Sequence, residues 1–128
     1  MIAVDFGFLC HFCQQEEGVL YARGIGFDRL RVPGVPCSLD GFYYVVQLRG
    51  GSERQPFRVR LTDADGGVLY ELDGKLEFSQ RNFAGEPVVR VIVGLEEVAF
   101  PAFGPYGVHF EVAGIEVHRA GIQVTREA

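Results

Sequence analysis

A chain of 128 residues, 48% of them hydrophobic and eleven of them Phe, has the length and apolar content of one domain with its own core. Its net charge of −5 and pI near 5.1 lack the basic field that draws phosphates, which argues against a nucleic-acid partner. No apolar run approaches the roughly 20 residues that span a bilayer, and no basic leader precedes an apolar one at the start. Three cysteines, an odd number, read as free thiols in a reducing cytoplasm.

Taken in order, the chain alternates short apolar segments with glycine-rich turns. Ile2–Phe12 reads as a first strand. The polar run Gln14–Gly18 turns it back into Val19–Val32, a hairpin partner interrupted by Gly24 and Gly26. Pro33 and Pro36 stop that strand, because proline cannot donate to a ladder. Phe42–Arg49 is apolar on both faces, as expected of a strand that is central or covered by a partner. Gly50–Pro56 is a loop. Phe57, Val59 and Leu61 then share one face of Phe57–Asp63, with Arg58 and Arg60 on the other.

Ala64-Asp-Gly-Gly67 is a hairpin turn, and Asp73-Gly74 separates Val68–Leu72 from Lys75–Phe78. Arg81–Glu86 is a loop before Val88–Leu95, the most apolar strand of the chain. Val108–Val112 and Ile115–Arg119 form a terminal hairpin around Ala113-Gly114, with a bulge expected at Gly121. No helix of useful length, repeat or linker is visible. The pattern predicts an all-β fold, an immunoglobulin-like antiparallel β-sandwich of about seven to nine strands over residues 1–128.

Three clusters carry possible chemistry. Cys10-His-Phe-Cys13 has the spacing of a zinc knuckle or a redox pair, yet zinc needs a second ligand pair. Positions three apart on a strand point to opposite faces, so the sulfurs converge only if the strand ends between them. Asp63-Ala-Asp65-Gly66 resembles the start of a calcium loop, with Asp73 the nearest further carboxylate, but the third oxygen donor and the closing glutamate are missing and a plain hairpin turn explains it better. A two-residue turn at Ala113-Gly114 pairs position 109 with 118 and 111 with 116. That register puts His109, Glu111, Glu116 and His118 on one face, a ligand set suited to zinc or iron. Alternating polar residues on a half-exposed hairpin generate the same pattern. The three serines stand outside any nucleophile-elbow context, and Gly24-Ile-Gly26 lacks the third glycine of a dinucleotide loop.

Gly18-Val-Leu-Tyr-Ala-Arg-Gly24-Ile-Gly-Phe27-Asp28 with Pro33 and Pro36, the pair Leu9-Cys10, the segment Arg58–Gly66 and the closing Gly107–Val117 hairpin resemble an uncharacterised bacterial family of small stand-alone domains. The resemblance covers nearly the whole chain and implies an immunoglobulin-like sandwich, with no activity, cofactor or catalytic residue to carry over. True immunoglobulin domains have a Cys–Trp–Cys core, and this chain has no Trp.

These readings lead to a non-catalytic binding module without a cofactor, engaging a protein partner or a second copy through a sheet face or edge. Tyr43 and Val45, on the second apolar face of Phe42–Leu48, are the expected interface residues. The alternatives are a metal-binding module or metal-dependent enzyme at the terminal hairpin, and calcium-dependent membrane docking through Asp63 and Asp65.

Overall fold

The computed structural model describes residues 2–39, 41–51 and 54–127. Among them the chain forms thirteen strands and no helix. In order these are β1 (Ala3–Cys10), β2 (Phe12–Glu16), β3 (Val19–Arg23), β4 (Arg29–Val32), β5 (Cys37–Leu39), β6 (Phe42–Arg49) and β7 (Arg54–Thr62). They continue as β8 (Val68–Glu77), β9 (Gln80–Arg81), β10 (Pro87–Leu95), β11 (Val98–Phe100), β12 (Gly104–Val112) and β13 (Ile115–Arg126). The front sheet runs β1-β6-β10-β9 and the back sheet β4-β13-β12-β7-β8; β2-β3 and β5-β11 are separate two-stranded pairs. All pairings are antiparallel except β4 with β13.

Alternation decides what lies between the two main sheets. Phe42, Tyr44, Val46 and Leu48 of β6 point inward, as do Val93 and Leu95 of β10. From the back sheet come Val59, Leu61, Val108, Phe110, Val112, Ile122 and Val124, and all of these are buried in one cluster. Tyr44 meets Phe110 edge-on across the gap, with ring centroids 6.2 Å apart. Each such side chain contributes about 1.5–3 kcal/mol on leaving water, so this one layer accounts for most of the drive to fold.

Several expected boundaries move. Thirteen strands replace the expected seven to nine, because β5, β9 and β11 are only two or three residues long and show no alternation to read. The first strand does not pair with the chain that follows it. A bend at His11 directs β2 away, so β1 pairs with β6 while β2 and β3 close on each other through a Glu17-Gly18 turn. β7 starts at Arg54 and shortens the expected loop, whose Ser52 and Glu53 lie outside the described residues. Asp73-Gly74 does not interrupt β8: the Phe57 ring lies where a Gly74 Cβ would stand, 2.5 Å from its nearest atom, and covers the bare backbone.

The terminal hairpin has the expected two-residue turn, Ala113 and Gly114 both taking positive φ (50° and 83°). Its register is different. Glu111 pairs with Glu116, but Phe110 pairs with His118 and His109 with Arg119, so Val117 is an extra residue in β13. Gly121, where a bulge was expected, pairs regularly with Gly107.

Candidate functional site

The Val117 bulge takes apart the four-residue ligand set expected on the terminal hairpin. An extra residue reverses the alternation beyond it, so His118 turns to the inner face while His109, Glu111 and Glu116 stay on the outer one. Inside, His118 Nδ1 lies 2.5 Å from the Tyr44 hydroxyl. Its ring sits against the Gly7 backbone, at the place a Gly7 Cβ would need. Burial lowers the His118 pKa, opposed by the Glu116 charge, and burial also pushes the Tyr44 phenol up. A phenol that keeps its proton donates to a neutral imidazole. The pair is a bolt between β6 and β13.

Outside, His109 is fully committed: Nδ1 is 2.5 Å from Glu116 Oε1, and Nε2 is 2.9 Å from Thr62 Oγ1. Glu116 also accepts from Arg119 at 2.9 Å, and its pKa is lowered chiefly by the His109 hydrogen bond. Arg60 pairs with Glu111, and Arg58 with Asp73 at 2.7 Å and Glu71 at 3.3 Å. The outer face of the back sheet is therefore a lattice of opposite charges running from β8 to β13. Among the described residues no group of three or more His, Cys, Asp or Glu is arranged to hold a metal ion.

The acidic turn is likewise occupied by its own backbone. Asp63 Oδ1 accepts from the amides of Asp65 (2.9 Å) and Gly67 (2.7 Å), which caps the turn between β7 and β8. Asp73 is held by Arg58 on the outer sheet face, so it does not join Asp63 and Asp65. The third cluster does assemble. β1 ends at Cys10 and β2 begins at Phe12, and the two thiols hydrogen-bond each other.

The second apolar face of β6 is hidden by the chain itself. Val45 and Cys10 are wholly buried yet belong to the outer side of the front sheet, away from the main core. The β2-β3 hairpin lies over them. Arg90 of β10 holds its tip, donating to the Gly18 carbonyl and Gln15 Oε1 (both 3.1 Å) and to Gln47 Oε1 at 3.0 Å. Val45 therefore offers nothing to a partner, and Tyr43, half-buried, leans over Gly94.

What is left open is an edge. β9 covers only Pro87 and Val88 of β10, and among the described residues nothing pairs with the outer edge from Val89 to Leu95. The other edges of the two main sheets are broken by charges or bulges: β4 covers only Gln123–Arg126 of β13, and the rest of that edge carries Glu116, Arg119 and the Val117 bulge. β8 carries Glu71, Asp73, Lys75 and Glu77; β4 is four residues long with two arginines; β1 has a bulge at Asp5 and receives the Gly26 amide on the Leu9 carbonyl at 2.7 Å. The β10 edge has one charge, Arg90, and the hairpin takes it.

A family model described as a family of unknown function, DUF6941, matches residues 5–125, a span that takes in both sheets, the hairpin and the open edge. The chain belongs to DUF6941. No curated protein matches it significantly. The DUF6941 match agrees with the uncharacterised family suggested by the turns and core positions, and assigns no reaction to any of them. No helix of the described chain is long and apolar enough to cross a membrane.

Sequence reasoning drew its apolar surface from Phe42–Leu48 together with Val88–Leu95, and named Tyr43 and Val45 as the contact residues. Within Val88–Leu95 the lone charge is Arg90, among seven apolar or small residues. A strand so poor in charge is either central or an unguarded edge.

Proposed function

We propose that this DUF6941 protein is a non-catalytic interaction module that works by strand addition at the β10 edge, and that its partner strand is β10 of a second copy. The carrying observation is the unguarded run Val89–Leu95, beside edges on β1, β4, β8 and β13 that are short, charged or bulged.

The composition of β10 favours self-pairing. A two-fold axis through Ile92 would set Ile92 against its counterpart, Val91 against Val93, and Val89 against Leu95. Arg90, the only charge, would face Gly94, so like charges never meet. The same register would bring Glu96 and Glu97 of each copy beside Gln80 and Arg81 of the other, where opposite charges attract. Glu97 takes positive φ (55°), and the chain leaves the sheet there, just where the other copy's β9 begins. We further read the two-sheet core as immunoglobulin-like and the protein as bacterial, following the family resemblance, and the three free cysteines as those of a cytoplasmic protein.

Sedimentation equilibrium across micromolar concentrations tests the proposal. The wild-type chain is expected to dimerise, and Ile92→Lys to dissociate about tenfold more readily or worse while keeping its β-sheet circular dichroism. Arg81→Glu is expected to weaken the dimer, and adding Glu96→Arg and Glu97→Arg to restore it. A wild-type chain that stays monomeric, or a dimer indifferent to Ile92→Lys, overturns the proposal.

A further inference from the structure

The junction of β1 and β2 holds a second kind of chemistry, independent of the open edge. β1 and β2 are separated by a single residue, His11, which is pinned on three sides. Its amide donates to the Arg23 carbonyl at 2.9 Å, its ring stacks on Phe27 with centroids 4.2 Å apart, and it fills the space a Gly24 Cβ would take. Gly24 has φ of +68°, so a side chain there would be strained as well as crowded. The bend at His11 breaks the strand alternation that would send residues 10 and 13 to opposite faces, and the two sulfurs lie in hydrogen-bond contact. Cys10 is wholly buried and Cys13 partly exposed, whereas Cys37 stands apart in β5, opposite Phe100.

We infer that Cys10 and Cys13 form a dithiol that a low-molecular-weight disulfide oxidises to an intramolecular disulfide, with Cys13 as the point of entry. The Cys13 thiolate attacks one sulfur of the small disulfide. That S–S bond breaks, one small thiol leaves with a proton, and a mixed disulfide remains on Cys13. Cys10 then loses its proton and attacks Cys13 Sγ, expelling the second small thiol. Two protein thiols and one small disulfide become one protein disulfide and two small thiols, two electrons passing to the oxidant.

The order follows from access, since only Cys13 meets solvent. Acidity points the same way: burial raises both thiols, and burial, then the neighbouring Cys13, holds Cys10 at about 11, so its thiolate is scarce at neutral pH. The second step is therefore the slow one and quickens as pH rises. The bond would staple the root of the hairpin that roofs Val45.

The test uses the full chain carrying Cys37→Ser, incubated in buffers of reduced and oxidised glutathione, acid-quenched, alkylated and weighed intact. The expected product has lost two hydrogens and resists alkylation, and forms about tenfold faster per pH unit below the Cys10 value. Adding Cys10→Ser is expected to stop the reaction at a glutathione adduct on Cys13. The wild-type chain, mapped by peptide mass, is expected to show the same Cys10–Cys13 link with Cys37 unlinked to either. A lasting adduct on Cys13 with Cys10 present, a cross-link between chains, or no oxidation at any ratio overturns the inference.

Discussion

His118, on the back sheet, meets the front sheet through two unlike contacts, a hydrogen bond to Tyr44 on β6 and van der Waals contact with the bare backbone of Gly7 on β1. The second contact explains why residue 7 has no side chain. A methyl group there would stand 2.5 Å from the imidazole, so Gly7→Ala is expected to destabilise the protein by about 1–3 kcal/mol in urea titrations. His118→Ala removes the obstacle at the cost of the Tyr44 bond, and the double variant is expected to lose clearly less than the sum of the two. A strictly additive double variant would mean that the two residues do not meet. None of this contact was legible in the sequence. Glu116-Val117-His118 alternates without a break, and a bulge inside a perfect alternation leaves no trace, so His118 was assigned to the wrong face. Its neighbour His109 was assigned correctly, because it lies on the strand that the bulge does not interrupt.

At the scale of elements, the β2-β3 hairpin is anchored at its root by His11 and held at its tip by Arg90. That hold is three hydrogen bonds from one guanidinium, two of them to the hairpin. Arg90→Ala is expected to cost about 1 kcal/mol overall while markedly raising amide exchange in residues 12–23, read by hydrogen–deuterium mass spectrometry. Exchange that rises evenly throughout the protein would show the hairpin to be an inseparable part of the core.

Here too the sequence was readable up to the point where distant pairing takes over. The two apolar faces of β6 were evident from Phe42, Tyr44, Val46 and Leu48 against Tyr43 and Val45. That the second face is roofed by residues some thirty positions upstream was not, since local alternation fixes a strand's faces and leaves its neighbours open. The same reason hid the position of β10. An apolar strand looks alike whether it lies inside a sheet or at its rim.

For the molecule as a whole, the half-buried imidazole of His118 makes stability depend on pH. Burial depresses the His118 pKa below its ordinary value of 6.5, so at mildly acid pH the unfolded chain binds a proton that the folded chain resists. The contribution is complete above pH 6.5 and fades as the pH falls through that value towards the depressed one. The slope is at most about 1.4 kcal/mol per pH unit. Thermal melts from pH 8 to pH 5 are expected to show the loss setting in near pH 6.5, and His118→Phe to flatten it. Glu116, whose depressed pKa acts at lower pH, adds little over this range because it is well exposed and its partners are screened. A variant with the full wild-type slope would place the responsible group elsewhere.

Under the proposed pairing, the uneven guarding of the sheet rims would also set how far assembly goes. With acids and a lysine along β8, arginines on a short β4, a bulge in β1 and another in β13, the proposed pairing at β10 would use up on both copies the one charge-poor edge among the described residues. Such a contact closes on itself. The protein would stop at pairs where a chain with two bare rims would stack without end into a fibre.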